Sequence, residues 1–206
     1  MAVAPVGVSR CTNPAAFAGG LEEETDEALR GRGLDTFQRL PNGANAAWYE
    51  QTAMGHEGVA AARAVGRARG IGTVDVYIAT AAGLPNGTLL AAVQADLQER
   101  REIAVDVQVK APAAVEMDVS AELAVREGAD FSAVKAAAEQ ALASFFSGRR
   151  LGGPVLLAEL GDLLYHVEGV ENYRLLAPAA DLAAEDGTLP MLGRVTVTEM
   201  EADDDV

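Results

Sequence analysis

The chain has 206 residues, half of them hydrophobic, enough to enclose one compact domain or two small ones around a buried core. Asp and Glu outnumber Lys and Arg by 31 to 16, and the resulting net charge of -15 repels phosphate backbones and anionic lipid surfaces, so nucleic acid is excluded as an expected partner. Cys11 is the only cysteine, which excludes an intrachain disulfide and a multi-cysteine zinc site and suits synthesis in a reducing cytoplasm.

Residues 1–18 contain Pro5, Gly7 and Pro14, show no periodicity and read as an irregular lead-in. No positive residue precedes their short apolar stretch, unlike a secretory signal, and no later run reaches the roughly 20 apolar residues of a membrane-spanning helix, so membrane insertion is not expected. From Glu22 to Gln38 acidic residues precede Arg30 and Arg32, the order the helix macrodipole favours, and a helix is expected despite Gly31 and Gly33. A second helix is expected from Asn45, a capping residue, to His56, with Trp48 and Ala53 as apolar contacts and Gly58 closing it. Together residues 19–57 read as a helical arm. Its large apolar side chains, Phe37, Leu40, Trp48 and Tyr49, are candidates for an interface with a second copy; the alternative is that they complete the core of their own chain.

Two strands, Val59–Arg67 and Thr73–Thr80, follow across an Arg69-Gly70-Ile71-Gly72 turn. In the second, Val74, Val76 and Ile78 alternate with Asp75 and Tyr77, so one face is expected in the core and the other in water. Thr88–Arg101 carries Leu89, Leu90, Val93 and Leu97 on one helical stripe, and Val105, Val107 and Val109 alternate as a strand up to Ala111-Pro112, where a boundary is expected. Residues 58–112 thus form a first α+β sub-domain, and 113–200 a second. The second opens on the longest period-two pattern, Met117 to Val125, followed by a helix capped by Asp130 with Phe131, Val134, Ala138, Leu142 and Phe145 at helical spacing. Pro154 suits a first helical turn, so Val155–Val167 is expected helical, with strands at Val170–Leu176 and Arg194–Thr198. Residues 201–206 read as an acidic disordered tail. The fold class is therefore α+β: two small mixed sub-domains preceded by a helical arm.

No catalytic, cofactor-binding or metal-ligating set emerges. His56 and His166 each lie at an expected helix end, where an imidazole complements the dipole; a paired metal site is the less favoured reading. Gly66, Gly70 and Gly72 precede a strand and lack the Lys-Ser/Thr of a phosphate loop, so they read as a turn. Asp75, Asp106 and Asp118 alternate with core residues and are expected to face solvent or another subunit. Their placement therefore argues against a carboxylate pair. His56-Glu57-Gly58-Val59 and His166-Val167-Glu168-Gly169-Val170 echo one another, either as a shared capping solution or as a trace of two related sub-domains.

The order of several segments resembles the baseplate J-like family, whose members build wedges around the hub of contractile tails. The resemblance is carried by Gly19-Gly20, Glu24 to Arg30, Pro41-Asn42-Gly43-Ala44-Asn45, Trp48-Tyr49, Gly58-Val59, Gly70 to Val74, Ala111-Pro112, Glu159-Leu160, Val167 to Val170, Tyr173 and Leu192-Gly193. It implies a structural, non-enzymatic role in a phage tail or related injection particle, with other wedge and hub proteins and further copies of the chain as partners and no cofactor. Members usually carry a further N-terminal region, so this chain is expected to be a truncated, split or naturally short member. A hydrolase-like enzyme on an α+β scaffold is the alternative function.

From charge and cysteine content, the purified protein is expected to give no sharp gel shift with duplex DNA at physiological salt and to carry no stoichiometric metal by elemental analysis.

Overall fold

The computed structural model describes residues 45–200, together with Asp26, Leu29, Arg30, Gly33 and Leu34. Those five are helical and exposed, and they belong to a unit, Met1–Leu40, separate from Pro41–Val206. The other residues of the expected arm before 45, including Phe37 and Leu40, lie outside the described residues, as do the lead-in and the acidic tail.

The described residues of the larger unit begin with helix α1, Ala46–Met54, whose Asn45 cap accepts a hydrogen bond from Trp48 N at 3.0 Å. Strands β1, Ala61–Gly66, and β2, Thr73–Ala79, pair antiparallel from Ala61 opposite Ala79 to Gly66 opposite Val74. Helix α2, Gly87–Arg100, then crosses back so that β3, Asp106–Lys110, lies parallel to β2. The sheet order is β1-β2-β3. As the alternation implies, Val76 and Ile78 are fully buried, against Val93 and Leu97 of α2 and Val107 of β3. Tyr49 and Ala53 of α1 fill the same cluster. Helix α1 was expected in the arm; it packs instead on the first sheet, because a three-stranded sheet with one helix leaves β1 uncovered.

The second half is built around β4, Ala113–Val125, the centre of a sheet ordered β5-β4-β6, with β5 (Val170–Ala177) antiparallel and β6 (Thr188–Glu199) parallel to it. Both β4 and β6 start earlier than their alternation implies. Ala113 to Met117 pair with Thr188 to Leu192, where Leu189-Pro190-Met191-Leu192 has no period of two. Helix α3, Phe131–Phe145, is capped by Asp130 and buries Val134, Ala138 and Leu142 against Val119, Ala121 and Leu123 of β4. Helix α4 runs Leu157–Tyr165, later than the expected start, because Val155 is held in a bridge to Leu182 with paired bonds of 3.0 and 2.9 Å. Its first turn is capped from afar, Leu157 N donating to Asp181 at 2.7 Å.

The echoed segments prove to be one turn used twice. Gly58 and Gly169 both stand at φ 91°, a left-handed conformation that excludes side chains at little cost only for glycine. Val59 N donates to His56 O at 3.2 Å and Val170 N to Val167 O at 3.1 Å. The alignment is set by Glu-Gly-Val, so the two histidines fall one position apart and share no role.

The second face of β2, expected to be wet, is largely covered. Ala79 and the ring of Tyr77 meet Leu151, Leu189 and Met191 from the second half. The one-turn 3-10 helix Gly148–Arg150 lies so close to β2 that a Cβ on Gly148 would stand 1.8 Å from Thr80 O. Gly148→Ala is therefore expected to destabilise the protein by about 1–3 kcal/mol through forced separation of the two halves. Gly66→Ala, where a Cβ meets nothing within 4 Å, should stay within about 0.5 kcal/mol of wild type, both read from urea unfolding.

Candidate functional site

Of the four side chains expected at an interface, Phe37 and Leu40 lie outside the described residues, and the structure separates the other two by burial. Tyr49 is 2% exposed and belongs to the core of its own sub-domain, so it is not presented to a partner. Trp48 is half-buried beside it, the rings 4.9 Å apart and edge-to-face. Burial raises the pKa of the Tyr49 hydroxyl, the Glu102 carboxylate adds to the rise, and Arg101 opposes it.

What α1 contributes instead is closure of a sheet edge. Glu50, 5% exposed, accepts a hydrogen bond from Ala64 N on the outer side of β1 at 3.1 Å. On the opposite edge the Gln94 amide of α2 bridges β3, donating to Val107 O at 3.0 Å and accepting from Val109 N at 2.7 Å. Each helix thus supplies a polar side chain that occupies backbone groups an added strand would need. The sequence reading missed both, since Glu50 and Gln94 look like ordinary exposed helix positions until the strands beside them are known.

The three aspartates have three different fates. Asp75, expected to face solvent or another subunit, is 2% exposed: Arg69 Nε donates to one oxygen at 2.6 Å and Lys110 Nζ to the other at 2.5 Å. Burial works to raise its pKa, but the hydrogen bonds and charges of Arg69 and Lys110 outweigh it and hold the carboxylate below its ordinary value. Asp106 is exposed and shares Arg69, at 2.5 Å. Asp118 is exposed and accepts from Arg194 N at 2.7 Å, where the register of β4 shifts between Met117 and Val119. Arg69 thus brings Asp75 and Asp106 to one guanidinium, while Asp118 bonds elsewhere.

His56 follows the end of α1 and pairs with Asp96 at 3.0 Å, while Arg100 holds the other oxygen of Asp96 at 2.8 Å. His166 caps α4 and bonds Asp162 O at 2.8 Å. The Gly66–Gly72 segment is the β1–β2 turn, with Gly70 and Gly72 at positive φ. Among the described residues no group of three His, Cys, Asp or Glu could hold a metal ion, and no helix is long and apolar enough to cross a membrane.

Two family models divide the chain along the same line as its sheets. The Baseplate J-like central domain matches residues 41–111, which hold α1 to β3, and the Baseplate J-like protein C-terminal domain matches residues 117–198, which hold most of β4 to β6. The two matches together span well over half of the sequence.

The chain belongs to the baseplate J-like family.

The central-domain match begins at Pro41, so it places α1 with the first sheet, as the packing does. Baseplate protein J of Escherichia phage P2 is 33% identical over 113 residues, covering 53% of this chain and 37% of its own length. A protein of Bacillus subtilis strain 168, named YqbT and uncharacterized, is 24% identical over 192 residues, 87% of this chain and 55% of its own. This baseplate J-like chain thus spans 37% and 55% of the length of those two relatives. In fold it is similar to a chain of the anti-feeding prophage baseplate solved by cryo-EM with sixfold symmetrisation, at a TM-score of 0.56 and 15% identity over 85% of this chain and 43% of that one.

Asp75→Asn is expected to destabilise the protein by about 2–3 kcal/mol, less than a wholly dry pair loses, because Arg69 and Lys110 remain partly hydrated. Since the folded-state pKa of Asp75 lies below its ordinary 3.8, its contribution is full above that pH and is lost as the pH falls through the folded value. Urea unfolding of both proteins from pH 7 down to pH 3 should show the gap between them narrowing only below about pH 4.

Proposed function

We propose that this protein is a structural component of the baseplate of a contractile phage tail or related injection particle, working by assembly with neighbouring wedge and hub proteins and with copies of itself. The observation that carries the reading is that both sub-domains match baseplate J-like domains, in order and along the chain's own sheet boundary. The named baseplate protein of phage P2 and the anti-feeding prophage fold add to it. The place of action is the tail baseplate of the particle, after synthesis in the host cytoplasm, without membrane insertion.

No catalysis is part of the proposal. A hydrolase-like reading needs titratable groups converging on an open space, and the two buried carboxylates serve the fold instead: Asp75 is clamped by two cations and Glu50 holds a strand edge. The part of the expected 19–57 arm ahead of α1, with Phe37 and Leu40, reaches a neighbour in this reading.

Antibody fragments against the chain, added to purified tail particles of the producing strain, should decorate the tail tip in electron micrographs. Decoration along the sheath or tube, or particles that lack the chain by mass spectrometry, would count against a baseplate role.

A further inference from the structure

Two isoleucines stand almost wholly in water at one end of the first sheet. Ile71, in the β1–β2 turn, is 95% exposed, and Ile103, in the α2–β3 loop, is 100% exposed. The two turns are neighbours: Asp106 N donates to Gly72 O at 2.8 Å, and Ala104 O lies 3.2 Å from where a Cβ on Gly72 would stand. Both are held firmly. Arg67 N bonds Thr73 O at 2.7 Å, and the Arg69 guanidinium spans Asp75 and Asp106. Arg101 Nη1 donates to three carbonyls of the second loop, Glu102, Ile103 and Val105. Side-chain clamps thus present two large apolar groups to water in neighbouring turns, which is unfavourable unless assembly covers them.

The opposite end of the same sheet carries an open hollow. Beyond the seven residues of β2, roughly 20 Å along the strand, an open cleft of about 580 Å³ is lined by Glu57, Thr80, Ala81, Ala82, Leu89 and Ala92. Its lining is mostly apolar and small, and the space is ample for two isoleucine side chains. The charges also complement: exposed Arg67 sits in the tip turn, and exposed Glu57 sits at the cleft.

We propose that Ile71 and Ile103 of one copy seat in the Glu57–Ala92 cleft of a second copy, with Arg67 facing Glu57. Such a contact joins different surfaces, head to tail, and repeats into a closed ring or an open filament according to the rotation between copies. It needs neither the arm nor a baseplate role. With both edges of the first sheet occupied by Glu50 and Gln94, the ends of the sheet are where this sub-domain can offer a knob and a hole.

The test uses the full chain in sedimentation velocity over a concentration series. Wild type should gain mass with concentration. A tip variant, Ile71→Asp with Ile103→Asp, and a cleft variant, Ala92→Phe, should each associate at least about tenfold more weakly. Mixed together, they should form one-to-one dimers and nothing larger, since one retains only a cleft and the other only a tip. Unchanged melting temperatures verify the folds; should Ala92→Phe unfold, Ala82→Phe blocks the same cleft. A monomeric wild type, variants that still assemble alone, or a mixture that stays monomeric would each overturn the proposal. So would tip-dependent binding to anionic lipid vesicles by a chain that does not self-associate, which would make the tip a membrane contact.

Discussion

Two of the three strands in each sheet are edges, and a sheet of that size cannot cover its own faces. Most of the tertiary structure answers that constraint. Helices α1 and α2 bury one face of the first sheet around Val76 and Ile78, and each also extends a polar side chain over an edge. The other face of β2 is closed in two ways along its length: by the Arg69 and Lys110 clamp at Asp75, and by Leu151, Leu189 and Met191 around Tyr77 and Ala79. The sub-domains are therefore fused through β2 as well as linked by Ala111-Pro112.

That fusion explains why small residues gather at the junction. Gly148 permits the backbone of the 3-10 turn to approach Thr80, and Gly187 faces the Tyr77 ring so closely that a Cβ there would stand 2.7 Å from it. Arg63 and Asp186 add an ion pair of 2.7 Å across the same seam, about half exposed and so worth little by itself. Packing holds the seam, and the charges align it.

Several polar side chains follow the same logic. Glu50 and Gln94 act on strand edges, Asp75 on two cations, and Asp181 on the start of α4. Each satisfies backbone or charge within the chain, and none is left aimed into an open cavity.

Much of the local structure was legible in the sequence. The alternation in Val74–Ile78 and Val119–Val125, the helical stripes of α2 and α3, the caps at Asn45 and Asp130 and the glycine turns all depend on neighbours within a few residues, and they stand where the pattern implies. The order of short segments also carried the family. Only the tertiary structure decided that Tyr49 completes a core, that α1 belongs to the first sheet, that Asp75 is buried, and that β4 and β6 begin early. A period of two tells which residues share a face and is silent on what covers that face. For β2 the cover comes from residues more than seventy positions later, Leu151, Leu189 and Met191, and no local spacing encodes that contact.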